Sequence, residues 1–168
     1  SDWSSDVCSS DLIRNLRKSY RHPDGTTQPV VDIASLELEA RQQLALSGAS
    51  GSGKTTLLHL VAGILAPDSG QVRIDGTDIS ALGESERDRY RARNVGYIFQ
   101  TFNLLQGYTC VENVMLGMAF GRGADRQHAE ALLKRVGLGD RLRHYPRQLS
   151  TGQQQRVAGA RALGSHPK

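Results

Sequence analysis

Between positions 48 and 55 the chain reads Gly-Ala-Ser-Gly-Ser-Gly-Lys-Thr, residue types at a spacing suited to holding a polyphosphate. The stretch fits the pattern G-x-x-x-x-G-K-[ST] without a mismatch. Glycines at 48, 51 and 53 let the backbone turn tightly and aim successive N–H groups into a concavity that phosphate oxygens can fill. Lys54 supplies a point charge for β- and γ-phosphates, and Thr55 offers a hydroxyl to Mg²⁺. The following run, Lys54 to Ile64, is predicted as a helix whose positive N-terminal end faces the same phosphates. A plain Gly-rich turn is the alternative reading of these letters.

A second stretch, Leu149-Ser150-Thr151-Gly152-Gln153-Gln154-Gln155-Arg156, opens a helix running toward Leu163. Ser150 can cap it, Gly152 lets a ligand approach closely, and the helix start offers N–H groups to an anion. An ordinary polar helix start reads equally well. Gln100 ends a predicted strand, Val95 to Phe99, where ligands bind in open α/β sheets. Tyr20, at the end of another predicted strand, is either ordinary strand packing or a flat face on which adenine stacks.

The elements that must position these residues follow from hydrophobic spacing. Gln43 to Ser47 is a strand candidate directly before the phosphate loop, and Leu57, Leu58, Val61 and Ile64 repeat at helical spacing after it. Ile13 to Ser19 and Val30 to Ala40 alternate as half-buried antiparallel strands separated by Pro23-Asp24-Gly25. Gln71 to Ile74 reads as a strand and Asp75-Gly76 as a hairpin turn. Ser85 to Arg93 is a charged surface helix. Beyond Gln100, Thr109 caps a helix through Phe120, and Asp125 caps another through Val136 that Gly137 ends. Residues 101–147 therefore read as a helical insertion with Met115 and Met118 in its core.

Composition narrows the classes. The chain has 168 residues, 38% hydrophobic and 23% charged, enough for one domain with a sizeable core. Its net charge is +4, but Lys and Arg are spread along it rather than blocked, so nucleic acid is not the expected partner. Cys8 and Cys110 make no disulfide framework or metal spacing, which favours a reducing, cytoplasmic setting. No apolar run approaches the roughly 20 residues of a membrane span. Any service to a membrane would go through partners. Residues 1–12 are Ser/Asp-rich without hydrophobic period and resemble the conceptual translation of a sequencing adapter. They are expected to lie outside the fold, as a non-native tail or else a disordered natural one.

Taken together, the phosphate loop, Tyr-Ile-Phe-Gln at 97–100 and Leu-Ser-Thr-Gly-Gln-Gln-Gln-Arg at 149–156 resemble the ATP-binding subunits of ABC transporters, in order and spacing. Phe99-Gln100-Thr101-Phe102-Asn103-Leu104-Leu105 and Glu112-Asn113-Val114-Met115-Leu116 resemble the branch that powers lipoprotein release and macrolide export. The resemblance implies an α/β fold: a P-loop NTPase core of ABC type with an antiparallel β subdomain and a helical subdomain. It implies ATP and Mg²⁺ as cofactors, ATPase activity coupled to transport, a homodimer or paired nucleotide-binding subunit, and a membrane permease as partner. The subunit would sit on the inner face of the cell membrane. Carried over by position, Tyr20 stacks on adenine. Gly48, Ser50, Gly51, Ser52, Gly53, Lys54, Thr55 and Thr56 hold phosphates and Mg²⁺. Gln100 reaches metal and attacking water, and Ser150, Thr151, Gly152 and Gln153 face the nucleotide of the partner chain.

Three departures stand out. Thr151 replaces a second glycine, Arg41-Gln42 replaces a Gly-Glu turn, and Gly159 stands where a larger apolar residue is usual. The family also continues past this sequence into an apolar strand ending in Asp-Glu and, later, a switch histidine. Without these, the C-terminal part of the core is expected to be missing, and the fragment alone to bind nucleotide but hydrolyse it negligibly. Two other readings stay open: an ATP-binding regulatory or scaffolding module that recruits a membrane partner, and a soluble ABC protein of repair or translation. The lack of a coiled coil or duplicated phosphate loop weighs against the latter.

Overall fold

The computed structural model describes residues 11–121 and 123–167. The chain divides into two compact units that meet between Arg87 and Asp88. In the first, β1 (Asp11–Arg21) and β2 (Thr27–Leu38) form a long antiparallel hairpin. Asp24 closes its turn by accepting from the Thr26 N–H at 2.8 Å and from its hydroxyl at 2.6 Å. β3 (Ser69–Ile74) pairs with β1, and β4 (Thr77–Asp78) with β3, giving the order β2-β1-β3-β4. Asp75 and Gly76 join the last pair with φ of 48° and 75°, the doubly left-handed turn that suits strand twist. Ile13, Leu16, Val31 and Val72 of the sheet are buried, as is Leu60 of α1 (Lys54–Val61).

α2 (Glu84–Asn94) leads from the first unit into the second and buries none of its side chains. In the second unit α3 (Cys110–Ala119), α4 (Arg126–Arg135) and α5 (Thr151–Leu163) enclose a core of Val114, Met118, Leu133, Leu138 and Val157, with Met115 packed against it. Each helix starts on the residue its sequence nominates: Thr109, Asp125 and Ser150 accept from N–H groups of the first turn. α4 ends at Gly137, φ 74°, where the N–H groups of Gly137 and Leu138 donate to the carbonyls of Lys134 and Leu133. Arg156 of α5 adds a bond to the Val136 carbonyl at 3.1 Å.

The structure differs from expectation at four places. Gln43 to Ser47 and Val95 to Phe99 form no strand, because neither finds a ladder partner among the described residues. An alternating apolar run supplies one half of a strand pair, and pairing needs the other. Leu44 and Ile98 are accordingly about half exposed. α1 stops at Val61 rather than Ile64, since Gly63, φ 68°, and Ile64 donate back to the Leu60 and His59 carbonyls. Finally, β1 begins at Asp11, so Asp11 and Leu12 of the stretch set apart as a tail pair with Leu38 and Glu37. Residues 1–10 of that stretch lie outside the described residues.

Candidate functional site

The phosphate loop connects an extended segment to α1, and its glycines are used in different ways. Gly51 has φ 79° and open space around it, so only its backbone shape asks for glycine. At Gly53, φ 84°, a Cβ would also fall 2.5 Å from the Val30 carbonyl oxygen. The sheet brings that carbonyl there: β1 pairs Lys18 with Val31 but Ser19 with Pro29, skipping Val30. Such a bulge bends the strand and re-aims its backbone. A cleft of ≈ 360 Å³ lies between this part of β2 and the loop, bounded by Val30, Asp32, Gly48, Ser52 and Lys54.

The Lys54 ammonium is folded into the loop, donating to the carbonyls of Gly48 at 2.9 Å and Ala49 at 2.6 Å and to Ser52 Oγ at 3.2 Å. Gly53 offers α1 no side-chain cap, and no acidic residue stands in its first turn. The helix start therefore has no side-chain acceptor for its first N–H groups and no carboxylate against its partial positive charge. Ser50 and Thr55 are exposed, and Thr56 is half-buried. Tyr20 lies within β1 opposite Gln28 and is 44% exposed, leaving a free aromatic face.

The remaining candidates belong to the second unit. Ser150 and Gln153 satisfy one another: Ser150 Oγ accepts from the Gln153 N–H at 3.3 Å, and Gln153 Oε1 accepts from the Ser150 N–H at 3.0 Å. Thr151 and Gly152 are exposed, and nothing lies within 4 Å of where a Gly152 Cβ would be. Gln100 is exposed on the turn that precedes α3. The two residues after Thr101, Phe102 and Asn103, have φ of 59° and 46°. Sequence reading passed over their anchor, Arg161, and over Asn113, which is fully buried and ties residues 105–109 to α3. Asn113 lies within the Glu112–Leu116 stretch that carries part of the resemblance, but a single polar letter on an apolar helix does not disclose its partners.

A glycine-rich loop with one lysine running into a helix, beside an antiparallel sheet and with a separate helical unit, defines an α/β ATPase of the P-loop class. The chain matches the ABC transporter family over residues 31–168, and it belongs to that family. It is 46% identical over 158 residues to the lipoprotein-releasing system ATP-binding protein LolD of Pseudomonas syringae pv. tomato, covering 92% of this chain and 69% of that protein. It is 44% identical over 164 residues to the macrolide export ATP-binding/permease protein MacB of Syntrophobacter fumaroxidans, covering 94% of this chain and 23% of that one. The solved dimer of the ATP-binding cassette MJ0796 bound to ADP and Pi superposes with a TM-score of 0.86 at 35% identity, over 94% of this chain and 70% of that chain. The chain is thus an ATP-binding subunit of ABC type, near the LolD and MacB branch, with the ABC ATPase fold.

Proposed function

We propose that this subunit binds Mg²⁺–ATP in its phosphate loop and works as one half of a nucleotide-sandwiching pair that drives a membrane permease. The observation that carries the reading is the loop itself: Lys54 rests on two loop carbonyls beside a helix start with no side-chain cap and no first-turn acid. The residues present fit a triphosphate. The bare face of Gly51 admits anionic oxygens, and Lys54 exchanges neutral carbonyl partners for charged ones, which form stronger bonds. Among the described residues no three His, Cys, Asp or Glu gather to cage a metal. A magnesium ion bound chiefly through phosphate, with Thr55 as its contact in the loop, suits such a site, and the role proposed for Gln100 is to reach metal and attacking water. When bound, the ion would neutralise charge on the phosphates.

Ser50, Ser52 and Thr56 complete the phosphate contacts in this reading, and Tyr20 supports the base. Ser150, Thr151, Gly152 and Gln153 present a second anion-accepting helix start to the nucleotide of a partner copy, as the helical part of the subunit, 101–147, contacts the permease. No described helix is long and apolar enough to cross a membrane, so the permease would supply the crossing and hold the subunit at the inner membrane face. The relatives' names supply the transport setting: one belongs to a lipoprotein-releasing system, another to a macrolide exporter.

Titration calorimetry of the purified chain with ATP tests the core of this reading. Magnesium should strengthen binding, and Lys54→Ala should weaken it by about tenfold or more, the loss expected for one charge-assisted contact. Unchanged affinity in Lys54→Ala would refute the assignment.

A further inference from the structure

We infer that Arg161 is a positioning residue for Gln100, holding the backbone that follows it from helix α5. The inference rests on the role proposed above for Gln100. Phe102 and Asn103 are consecutive non-glycine residues in the left-handed region, with φ of 59° and 46°. Asparagine tolerates that region, whereas phenylalanine is strained there and persists only where its surroundings over-determine it. Three local contacts contribute. The Phe102 N–H donates to the Phe99 carbonyl at 3.0 Å, around Gln100; the Asn103 N–H donates to Thr101 at 2.7 Å; and the Phe102 ring packs against the helical core.

The carbonyls of this turn are held from far along the chain. Arg161 Nη1 donates to the Asn103 carbonyl at 2.7 Å, and Nη2 donates to that of Phe102. One planar fork thereby fixes two successive peptide units, something a lysine's single point charge cannot reproduce. Arg161 is half-buried, and among the described residues no carboxylate pairs with it. Its path is kept open by α3: a Cβ on Gly117 would lie 2.6 Å from the Arg161 carbonyl oxygen and 2.8 Å from its Cγ. Ser150 caps the other end of the same helix, about 16 Å away at 1.5 Å per residue. The turn after Gln100 and the helix start at Ser150 are therefore ends of one rigid connection.

The test measures two quantities in the full chain, amide exchange by NMR and the factor by which Mg²⁺ strengthens ATP binding. Arg161→Gln and the stem-preserving Arg161→Lys should speed exchange at Phe102 and Asn103 tenfold or more while α3 and α5 amides stay within twofold. Arg161→Lys should shrink the magnesium factor at least threefold, with ATP affinity in EDTA unchanged. Gln100→Ala should shrink it too, and the double variant should fall no further than Gln100→Ala alone, as expected for residues acting in series. Wild-type exchange at Phe102 and Asn103 in Arg161→Lys, loosening spread evenly over α3 and α5, or additive losses would overturn the inference. A wild-type magnesium factor in Gln100→Ala would instead remove the role of Gln100 on which it stands, whatever the exchange at Phe102 shows.

Discussion

Two glycines in the helical unit have opposite fates, although both sit inside helices where glycine costs about 1 kcal/mol relative to alanine. Around Gly159 of α5 nothing lies within 4 Å of the position a Cβ would take. Gly159→Ala should therefore stabilise the chain by about 1 kcal/mol. Gly117 of α3 instead abuts the backbone and stem of Arg161, and Gly117→Ala should destabilise by about 1–3 kcal/mol through overpacking. Urea unfolding of the two variants checks the sign of each. The same reasoning covers Arg41, which adopts φ 70° in the turn before the phosphate loop. That conformation favours glycine, so the arginine there carries some strain.

At the scale of elements, residues 105–109, leading into α3, are tied down by one buried side chain. Asn113 Oδ1 accepts from the Leu105 N–H at 2.8 Å, and the two hydrogens of Nδ2 are shared among the carbonyls of Leu105, Tyr108 and Thr109 at 3.0 to 3.1 Å. Asn113→Ala should cost about 2 kcal/mol in urea unfolding, and the Leu105 amide should lose its exchange protection. The helix starts were legible in the sequence because a cap is a local device: Thr109 with Glu112 and Ser150 with Gln153 sit three residues apart. The hairpin turn at Asp75-Gly76 was readable for the same reason. The extended runs at 43–47 and 95–99 were not, since a strand exists only with a partner whose position no local spacing reveals. The fork of Arg161 was equally hidden, its two carbonyl partners lying 58 and 59 residues back in the chain. Within the phosphate loop the spacing conveyed the residues, while the approach of Val30 to Gly53 depended on a bulge in β2 that no residue type announces.

For the whole molecule, stability should fall on the acid side. The Thr109 hydroxyl and N–H hold the Glu112 carboxyl below its ordinary value, and the Lys18 ammonium with the Ser19 N–H does the same for Asp68. Each group binds its proton less readily folded than unfolded, so the stability it contributes is complete above its unfolded value of about 4. That contribution is lost as pH drops through the lower folded value. Urea midpoints measured from pH 6 to pH 3 should decline below about pH 4.5, less steeply in Glu112→Gln. The reciprocal bond between Ser150 and Gln153 bears on how such a molecule lets go of what it holds. It ties the Ser150 and Gln153 N–H groups of that helix start, so the end rests partly capped with nothing bound to it. If a partner copy's nucleotide docks there as proposed, its departure would leave the end still held by that reciprocal pair, so release would uncover no raw helix terminus.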